Sequence, residues 1–361
     1  MKVVVIGAGV AGLGIGWRLR QAGVDVTVLE RAQAARGATW AAAGMIATTA
    51  ELGEAQTPEA ALANRARSLW PGFAREIEDA SGMKIGYAQS GSLMIAMTSA
   101  QVDDYAQRAK GDPDLKALSA EEARVLEPML TREVAGALWA SQEAVIDNRA
   151  LGQALARAFV RSGGKLILNE TVVRIETQSG CAVAALTSAG LYEADAFVLA
   201  AGAWSGLIEG LPAAAIPPVK PMKGEMLALA PPKGTALPGH VVWGNEIYLV
   251  PRDDRLLVGA TLEDVGFDTS LTDAAEDWLS SRALGLMPDL KTWTIVEHWA
   301  GLRPCSPDGL PLLGPTAVNG LFVASGQYRN GILFAPAVAE MLSGLVLERP
   351  TDFAAFDPRR F

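Results

Sequence analysis

The stretch that decides the fold lies at the N-terminus, where residues 3–30 read VVVIGAGVAGLGIGWRLRQAGVDVTVLE. The β-branched run from Val3 to Ile6 predicts a short buried strand, and the run from Leu13 to Ala22 predicts a helix that ends at Gly23. A second apolar run, Asp25 to Leu29, predicts another strand. Together these runs predict a βαβ unit.

The glycines at positions 7, 9 and 12 stand between the first strand and the helix in the spacing G-x-G-x-x-G. In that position, backbone amides and the helix dipole can meet a pyrophosphate. Tight packing of helix on strand would also favour such glycines. Glu30 closes the second strand, however, where a carboxylate can accept a hydrogen bond from a ribose hydroxyl, so the pattern indicates a dinucleotide.

The remaining chain alternates between two kinds of pattern. Residues 147–162 predict an amphipathic helix, and four strand candidates follow between residues 165 and 200. After the proline-rich stretch 212–221, alternating strands predict an antiparallel sheet, and residues 320–347 return to a strand followed by a helix. We therefore predict an α/β (α+β) protein with a Rossmann-like dinucleotide domain, made of residues 1–80, 145–215 and 300–361, and an antiparallel-sheet substrate domain, made of residues 81–144 and 216–299.

Composition excludes several classes of protein. The chain has 40 acidic against 31 basic residues and no dense basic cluster, which argues against nucleic-acid binding. Two cysteines and two histidines make a disulfide framework or a His/Cys metal site unexpected. The uncharged run 3–17 is too short to span a membrane and has no cleavage pattern, so we expect a cytoplasmic protein without a membrane segment.

Four further stretches resemble the D-amino-acid oxidase and glycine oxidase family, and within it the glycine oxidases of the thiamine-biosynthesis type. They are GATWAAAGM at residues 37–45, FVLAAGAWS at 197–205, WAGLRP at 299–304 and GQYRNGIL at 326–333. Small residues in the first stretch let backbone approach a flat ring system. The resemblance runs from end to end and implies a domain of the glutathione-reductase type that binds FAD without a covalent bond.

The resemblance also implies which residues bind the cofactor. The fingerprint and the end of the second strand supply Gly7, Gly9, Val10, Ala11, Gly12, Glu30 and Arg31. The small-residue loop supplies Thr39, Ala42, Ala43, Gly44 and Met45, and the middle of the chain supplies Val173, Ala201, Gly202 and Trp204. From the C-terminal part come Arg303, Tyr328, Arg329, Asn330, Gly331, Ile332 and Leu333, with the last helix directing its dipole at the flavin.

Arg303 is the expected substrate anchor, because a planar guanidinium binds a carboxylate through two parallel charge-assisted bonds. Tyr248 matches the family tyrosine that shares this carboxylate, and Arg329 matches a second arginine near the site. Met45 is expected in the same pocket. The sequence departs from the glycine oxidase pattern at Glu246, Leu262 and Gln327, which puts the pocket wall and the choice of amino acid in doubt.

The family mechanism transfers a hydride from the α-carbon of a neutral amine to the flavin, and no side-chain base is required at that carbon. It yields an imine, then an oxo acid and ammonia, while dioxygen reoxidises the flavin to give hydrogen peroxide. Glycine, sarcosine, N-ethylglycine and small D-amino acids are candidate substrates, and thiamine thiazole synthesis is a candidate pathway. A homo-oligomer is compatible with the resemblance.

Three alternatives stay open on the sequence alone. A related FAD-dependent D-amino-acid or secondary-amine dehydrogenase would pass its electrons to an acceptor other than oxygen. A flavin-binding scaffold without turnover would not need the carboxylate clamp, and an NAD-dependent dehydrogenase would be colourless. Cys305 invites the idea of a covalent flavin and His298 that of a base, but a buried thiol and a packed imidazole are the expected roles.

Overall fold

The computed structural model describes residues 1–52 and 57–361. The helices in these ranges are Val10–Gln21 (α1), Ala38–Ala41 (α2), Thr48–Leu52 (α3), Pro58–Ser81 (α4), Ser99–Gly111 (α5), Ala120–Leu126 (α6), Asn148–Arg161 (α7), Asp273–Leu286 (α8) and Gly331–Val346 (α9). The strands are Lys2–Ile6 (β1), Asp25–Leu29 (β2), Met45–Ile46 (β3), Ser92–Ala96 (β4), Leu115–Ser119 (β5), Gly136–Ala140 (β6), Ala144–Val145 (β7), Lys165–Ile167 (β8), Val172–Gln178 (β9), Cys181–Thr187 (β10), Gly190–Glu193 (β11), Ala196–Leu199 (β12), Lys220–Ala230 (β13), Val241–Gly244 (β14), Ile247–Arg252 (β15), Arg255–Gly259 (β16), Thr294–Cys305 (β17), Leu312–Pro315 (β18) and Leu321–Ser325 (β19).

The N-terminal strand lies inside a six-stranded sheet with the order β18-β19-β12-β1-β2-β8. β1 pairs in parallel with β2 on one side and with β12 on the other, and β18 runs antiparallel to β19 at one edge. Val3, Val4 and Val5 have no exposed surface. This burial on both faces is why the strand is a continuous β-branched run rather than an alternating one.

Helices cover one face of this sheet, and a small sheet covers the other. Val3 and Val5 belong to a core with residues of α1, α4, α7 and α9. Val4 and Ile6 point the opposite way, into a core with β9 and β10. The predicted Rossmann-like domain is therefore confirmed in its layers.

The second large sheet has the order β17-β13-β16-β15-β14-β4-β6-β5. Its pairs are antiparallel, as predicted, apart from β14 and β4, which run in parallel. One face carries a core of its own, packed under α8. The other face, around Val250 and Trp299, packs on the small-residue loop 41–45 of the dinucleotide domain.

Some elements were not predicted from the sequence. α5 has no fully buried residue, and its half-buried stripe of Val102, Tyr105 and Ala109 has the spacing of a helix, which the sequence analysis did not use. β17 is twelve residues long, yet its first three residues are exposed and the alternation expected of a strand is weak there. This strand runs from residue 294 to 305, across the domain boundary predicted at residue 300, and it carries Arg303 near its end.

Candidate functional site

A cleft of about 580 Å³ lies between the two large sheets and is lined by residues from both. On one side it receives the residues that follow the carboxyl ends of β1, β2 and β12, which is where ligands bind in open α/β sheets. On the other side it is lined by side chains and backbone of β13, β15 and β17.

The glycine fingerprint makes a close approach of backbone possible. Gly7 has a φ of +105°, and a β-carbon there would lie 2.4 Å from the carbonyl oxygen of Ala200. A β-carbon on Gly12 would lie 2.0 Å from the carbonyl oxygen of Gly7. α1 begins immediately afterwards with Gly9 at its N-cap. No larger residue fits the first or third glycine position, so the turn keeps its amides at the mouth of the helix.

Glu30 is held at the end of β2 by two backbone donors. The amide of Ala8 donates to its carboxylate at 2.8 Å, and the amide of Ala32 donates at 3.1 Å. The carboxylate is thereby fixed at the cleft, where it can accept from a ribose hydroxyl. Beside it, the guanidinium of Arg31 lies 3.6 Å from the centre of the Trp204 ring, a cation–π contact that shapes the same end of the cleft.

The small-residue loop is tied down through its carbonyl groups. Asn148 donates to the carbonyl oxygens of Thr39 and Trp40 at 2.8 and 3.0 Å, and Trp299 donates to that of Ala41 at 3.0 Å. These bonds tie three carbonyl groups of the loop to side chains outside it, and residues 41–44 of the loop line the cleft. The sequence analysis did not identify Asn148, which lies more than a hundred residues from the loop that it holds.

Arg252 adds one more tie to this loop. Its Nη2 atom donates to the carbonyl oxygen of Ala43 at 2.6 Å. The neighbouring Gly44 has a φ of +76°, and a β-carbon there would lie 2.0 Å from the Ile146 carbonyl oxygen and 2.9 Å from Arg252 Nη2. Burial lowers the pKa of Arg252, an effect that Asp147 and Asp253 oppose. Sequence reasoning missed this arginine as well.

The predicted carboxylate anchor, Arg303, lies in the cleft on β17. Its Nη1 atom donates to the carbonyl oxygens of Lys223 and Thr261 at 3.3 and 3.1 Å. The guanidinium lies against Gly224, where a β-carbon would come 2.2 Å from Nη1 and 2.4 Å from Nη2. Both backbone bonds use Nη1, and the rest of the planar fork can take a carboxylate in two parallel bonds.

Tyr248 lines the same part of the cleft from β15, in contact with Met226, whose sulfur lies 3.8 Å from the phenol oxygen. Its ring lies over Gly259, where a β-carbon would come within 2.5 Å of the ring. Burial raises the pKa of Tyr248, and the nearby Arg303 opposes this shift. The phenol is therefore a neutral hydrogen-bond donor next to the guanidinium.

A carboxylate that the sequence analysis did not identify, Glu51, also lines the cleft. It is only 7% exposed and forms an ion pair with Arg329, with Nη2 and Oε2 2.8 Å apart. Burial raises the pKa of Glu51, while Arg329 and Arg303 oppose the shift. In the sequence Glu51 is an acidic residue six positions after the small-residue loop, and this position alone does not predict a place in the cleft.

α3, which carries Glu51, is fixed by a second buried carboxylate. Glu143 accepts from the amides of Thr49 and Ala50 at 2.7 and 3.2 Å, in the first turn of the helix. It also accepts from the hydroxyl of Ser92. Desolvation raises the pKa of Glu143 against these hydrogen bonds.

The C-terminal motif forms the start of α9 at the cleft. The side chain of Asn330, the N-cap residue, donates to Glu59 at 3.0 Å. Tyr328 has a φ of +48° and its amide donates to the carbonyl of Pro304 at 2.9 Å, which joins this turn to the strand of Arg303. The first amides of a helix and its dipole thus face the cleft, as expected for the part that meets a flavin.

Most of the predicted cofactor and substrate residues line this one cleft. They are Gly7, Gly9, Val10, Ala11, Glu30, Arg31, Thr39, Ala42, Ala43, Gly44, Met45, Val173, Ala201, Gly202, Trp204, Tyr248, Arg303, Gln327, Tyr328, Arg329, Asn330, Gly331 and Ile332. Gly12 and Leu333 lie outside the lining, Gly12 because it packs on Gly7 and Leu333 because it is buried in the core of the dinucleotide domain.

Two predicted pocket residues also lie elsewhere. Glu246 occupies the tight turn between β14 and β15 at φ +68°, and its exposed carboxylate pairs with Arg282 at 2.7 Å. Leu262 is 55% exposed beyond the end of β16. Neither side chain lines the cleft, so the structure gives neither of them a part in the pocket wall. Cys305 is also outside the lining, and His298 pairs with Glu225 at 2.7 Å.

The residues of the cleft fit FAD. Its lining includes a turn of glycines that leaves no room for a β-carbon and a fixed acidic residue at the end of β2. It also includes a loop of small residues whose carbonyl groups are hydrogen-bonded to other segments, and the N-terminus of a helix. Across residues 1–52 and 57–361 there is no cluster of three or more His, Cys, Asp or Glu side chains that could hold a metal ion. In the same ranges no helix is both long and apolar enough to cross a membrane.

Comparison with known proteins gives consistent relatives. The chain is 38% identical to the bifunctional protein ThiO/ThiG of Trichormus variabilis, over 97% of its own length and 53% of that protein. It is 33% identical to the crystal structure of glycine oxidase from Geobacillus kaustophilus, with a TM-score of 0.93 over 99% of this chain and 98% of that one. The corresponding values for iminodiacetate oxidase from Chelativorans sp. BNC1 are 30% identity and a TM-score of 0.89, over 99% and 98% of the two chains.

The chain spans about half the length of the ThiO/ThiG relatives that it matches. Residues 2–345 match the family described as FAD dependent oxidoreductase. The match covers both large sheets and all of the cleft lining, and it agrees with the cofactor that the cleft fits. The chain therefore belongs to the family of FAD-dependent oxidoreductases that includes the glycine oxidases.

Proposed function

We propose that the protein oxidises glycine or a similarly small amino acid, and that it does so as an oxidase. The observation that carries this proposal is Arg303, whose guanidinium lies against Gly224 inside the flavin cleft. A carboxylate bound by this fork and by Tyr248 would have its α-carbon fixed relative to the cofactor. Such positioning of the reacting atoms is the main catalytic contribution expected of the protein.

The protein's own residues bind and orient the substrate. Arg303 forms two charge-assisted bonds with the carboxylate, each contributing about 1.5 to 3 kcal/mol, and Tyr248 donates a third. When bound, FAD supplies the acceptor for the hydride from the α-carbon. The imine left on the substrate hydrolyses to an oxo acid and ammonia, and dioxygen takes the electrons to give hydrogen peroxide.

The substrate side of the cleft supports a small amino acid. Met45, Met226 and Tyr248 lie together in a wall that is mostly apolar, and Arg303 and Arg329 are the cations nearby. Candidate substrates are glycine, sarcosine, N-ethylglycine and small D-amino acids. The similarity to an iminodiacetate oxidase supports the inclusion of secondary amines. As part of the proposal, the imine product would feed thiamine thiazole synthesis, as the similarity to ThiO/ThiG proteins suggests.

We further propose that FAD is bound without a covalent link. Cys305 is the nearest cysteine in sequence to Arg303, and its thiol donates to the carbonyl oxygen of Ser306 at 3.4 Å instead of lining the cleft. Denaturation of the purified protein with acid should release all of the yellow colour into solution. Colour that stays with the precipitated protein would contradict this part of the proposal.

A two-stage experiment tests the reaction. In the first stage, glycine, sarcosine, N-ethylglycine, D-alanine and D-proline are mixed anaerobically with the yellow protein, and flavin bleaching is followed by stopped flow. At least one of them should bleach the flavin within seconds. In the second stage, the reduced protein is mixed with air-saturated buffer. Fast return of the yellow colour with release of peroxide is expected, and reoxidation over minutes would instead indicate a dehydrogenase.

A further inference from the structure

The flavin cleft contains one buried acid that the proposed reaction leaves without a role. Glu51 lines the cleft together with Arg303, Arg329 and Tyr248, and is 7% exposed. A carboxylate costs free energy to bury unless it is paired, and carboxylates in ligand clefts are frequent functional groups. The following inference rests on the proposed oxidation of an amino acid.

An amino acid brings two opposite charges into the cleft. Arg303 accounts for the carboxylate, but the ammonium group needs an acceptor of its own, because an unpaired charge in a cleft of low polarity is strongly unfavourable. Glu51 is an acidic side chain of the lining, and it interacts electrostatically with Arg303 and with Tyr248. Met45 and Ala47, which precede it in the chain, line the same cleft.

We infer that Glu51 binds the ammonium group of the substrate and accepts one of its protons, so that the amine is neutral when the α C–H bond breaks. In this step an N–H bond breaks, its electron pair stays on nitrogen, and an O–H bond forms on the carboxylate. Neither group is oxidised or reduced in this proton transfer. The proton then passes to solvent before the next turnover.

The surroundings of Glu51 suit this task. Arg329 forms an ion pair with Oε2 at 2.8 Å, yet this buried oxygen accepts no hydrogen bond from the described residues and can still take one from the substrate. Buried Glu143 and half-buried Glu59 repel a second negative charge, whereas Arg303 and Arg329 attract it, and desolvation outweighs them. The net result is a pKa above that of an exposed glutamate, which makes Glu51 a better proton acceptor than an ordinary carboxylate.

α3 gives the carboxylate a fixed position. Glu143 accepts from the amides of Thr49 and Ala50, the two residues directly before Glu51. A side chain on a helix that is bound at its first turn can be held to the accuracy that proton transfer demands. If Glu51 served only as a counterion for Arg329, its removal would alter the binding of every carboxylate ligand to a similar extent.

The variant Glu51→Gln tests the inference in the FAD-loaded protein. Gln keeps the carbonyl oxygen that Arg329 can bind but cannot take a proton. Anaerobic flavin reduction by the best amino acid of the panel is measured from pH 6 to pH 10. This rate does not depend on the electron acceptor that later reoxidises the flavin. Acetate, which has a carboxylate and no amine, is titrated into both proteins and its binding followed by the flavin absorption spectrum.

We expect Glu51→Gln to lower the second-order rate constant of flavin reduction about 100-fold at pH 7. The loss should shrink as the pH approaches 10, because a growing fraction of the free amino acid has then lost its ammonium proton, and acetate affinity should change by less than about threefold. Glu51→Asp should keep the wild-type pH profile with a lower rate. Glu121→Gln, an exposed carboxylate on α6, serves as the control and should match the wild type at every pH.

An unchanged pH profile in Glu51→Gln would overturn the inference, and so would an equal loss of amino-acid reduction and acetate binding, which would indicate a purely structural role. Failure of the proposed function has a different signature. In that case no amino acid of the panel reduces the flavin of the wild-type protein.

Discussion

The guanidinium of Arg303 lies so close to Gly224 that a β-carbon on residue 224 would come within 2.2 Å of Nη1 and 2.4 Å of Nη2. These two residues are on neighbouring strands, β17 and β13, and Gly224 pairs with Gly301, two residues before the arginine. Because Gly224 on β13 has no side chain, the guanidinium of Arg303 has room to lie against this strand.

Gly224→Ala should accordingly move the guanidinium while leaving the cofactor site intact. We expect the KM for the amino acid to rise at least about tenfold, because a displacement of this size misaligns a bidentate bond. The flavin spectrum should stay that of the wild type. Gly72→Ala is a matched control, since a β-carbon there meets nothing within 4 Å, and a KM unchanged in both variants would contradict the role of Gly224.

Arg303→Ala should keep the yellow colour and lose about 2 to 5 kcal/mol of carboxylate binding, seen as a large rise in KM. Arg303→Lys should recover only part of this loss, because an ammonium group lacks the planar fork. Steady-state kinetics and an acetate titration measure both variants. Wild-type kinetic constants in Arg303→Ala would show that the substrate carboxylate binds elsewhere.

Arg252→Met should weaken FAD binding, since it removes the donor that lies 2.6 Å from the carbonyl oxygen of Ala43 in the small-residue loop. A hydrogen bond from a charged donor contributes about 1.5 to 3 kcal/mol, which corresponds to a loss of roughly 10- to 100-fold in affinity. Titration of the apoprotein with FAD measures the change. The exposed Arg132→Met is the control, and equal affinities for the two variants would refute this role for Arg252.

Glu143→Gln should flatten the dependence of stability on pH. Desolvation raises the pKa of Glu143 above the unfolded value of 4.5, so its favourable contribution is complete below pH 4.5 and is lost as the pH rises through the folded pKa. The apparent Tm of Glu143→Gln minus that of the wild type should therefore increase above pH 4.5. Thermal scans at one FAD concentration measure it, and a constant difference would argue that the pKa of Glu143 is not raised.

The parts predictable from sequence are those in which local backbone chemistry dictates the residue. The turn at Gly7 and Gly12 allows no β-carbon, and Glu30 ends a strand that any βαβ pattern identifies. Arg303 could be predicted for another reason, since its motif resembles a family pattern in which the arginine has a fixed place. Of these residues, Gly7, Glu30 and Arg303 line the cleft, whereas Gly12 packs on Gly7.

The parts that could not be predicted depend on contacts between distant segments. Arg252 and the carbonyl of Ala43 are 209 residues apart, and nothing near either residue signals the other. The place of Glu51 in the site becomes visible only in the fold, which brings α3 beside Arg329. Conversely, Glu246 was assigned to the pocket by its place in the pattern, yet a hairpin turn directs it to Arg282 at the surface.

The strand order of the dinucleotide sheet has a consequence during synthesis of the protein. β1 is made first, but its neighbour β12 begins at residue 196, and β19, which pairs with β12, begins only at residue 321. Contacts between segments so far apart form slowly and late. A nascent chain on the ribosome thus carries its glycine turn for most of translation before the strands on one side of β1, which are β12, β19 and β18, have all been made.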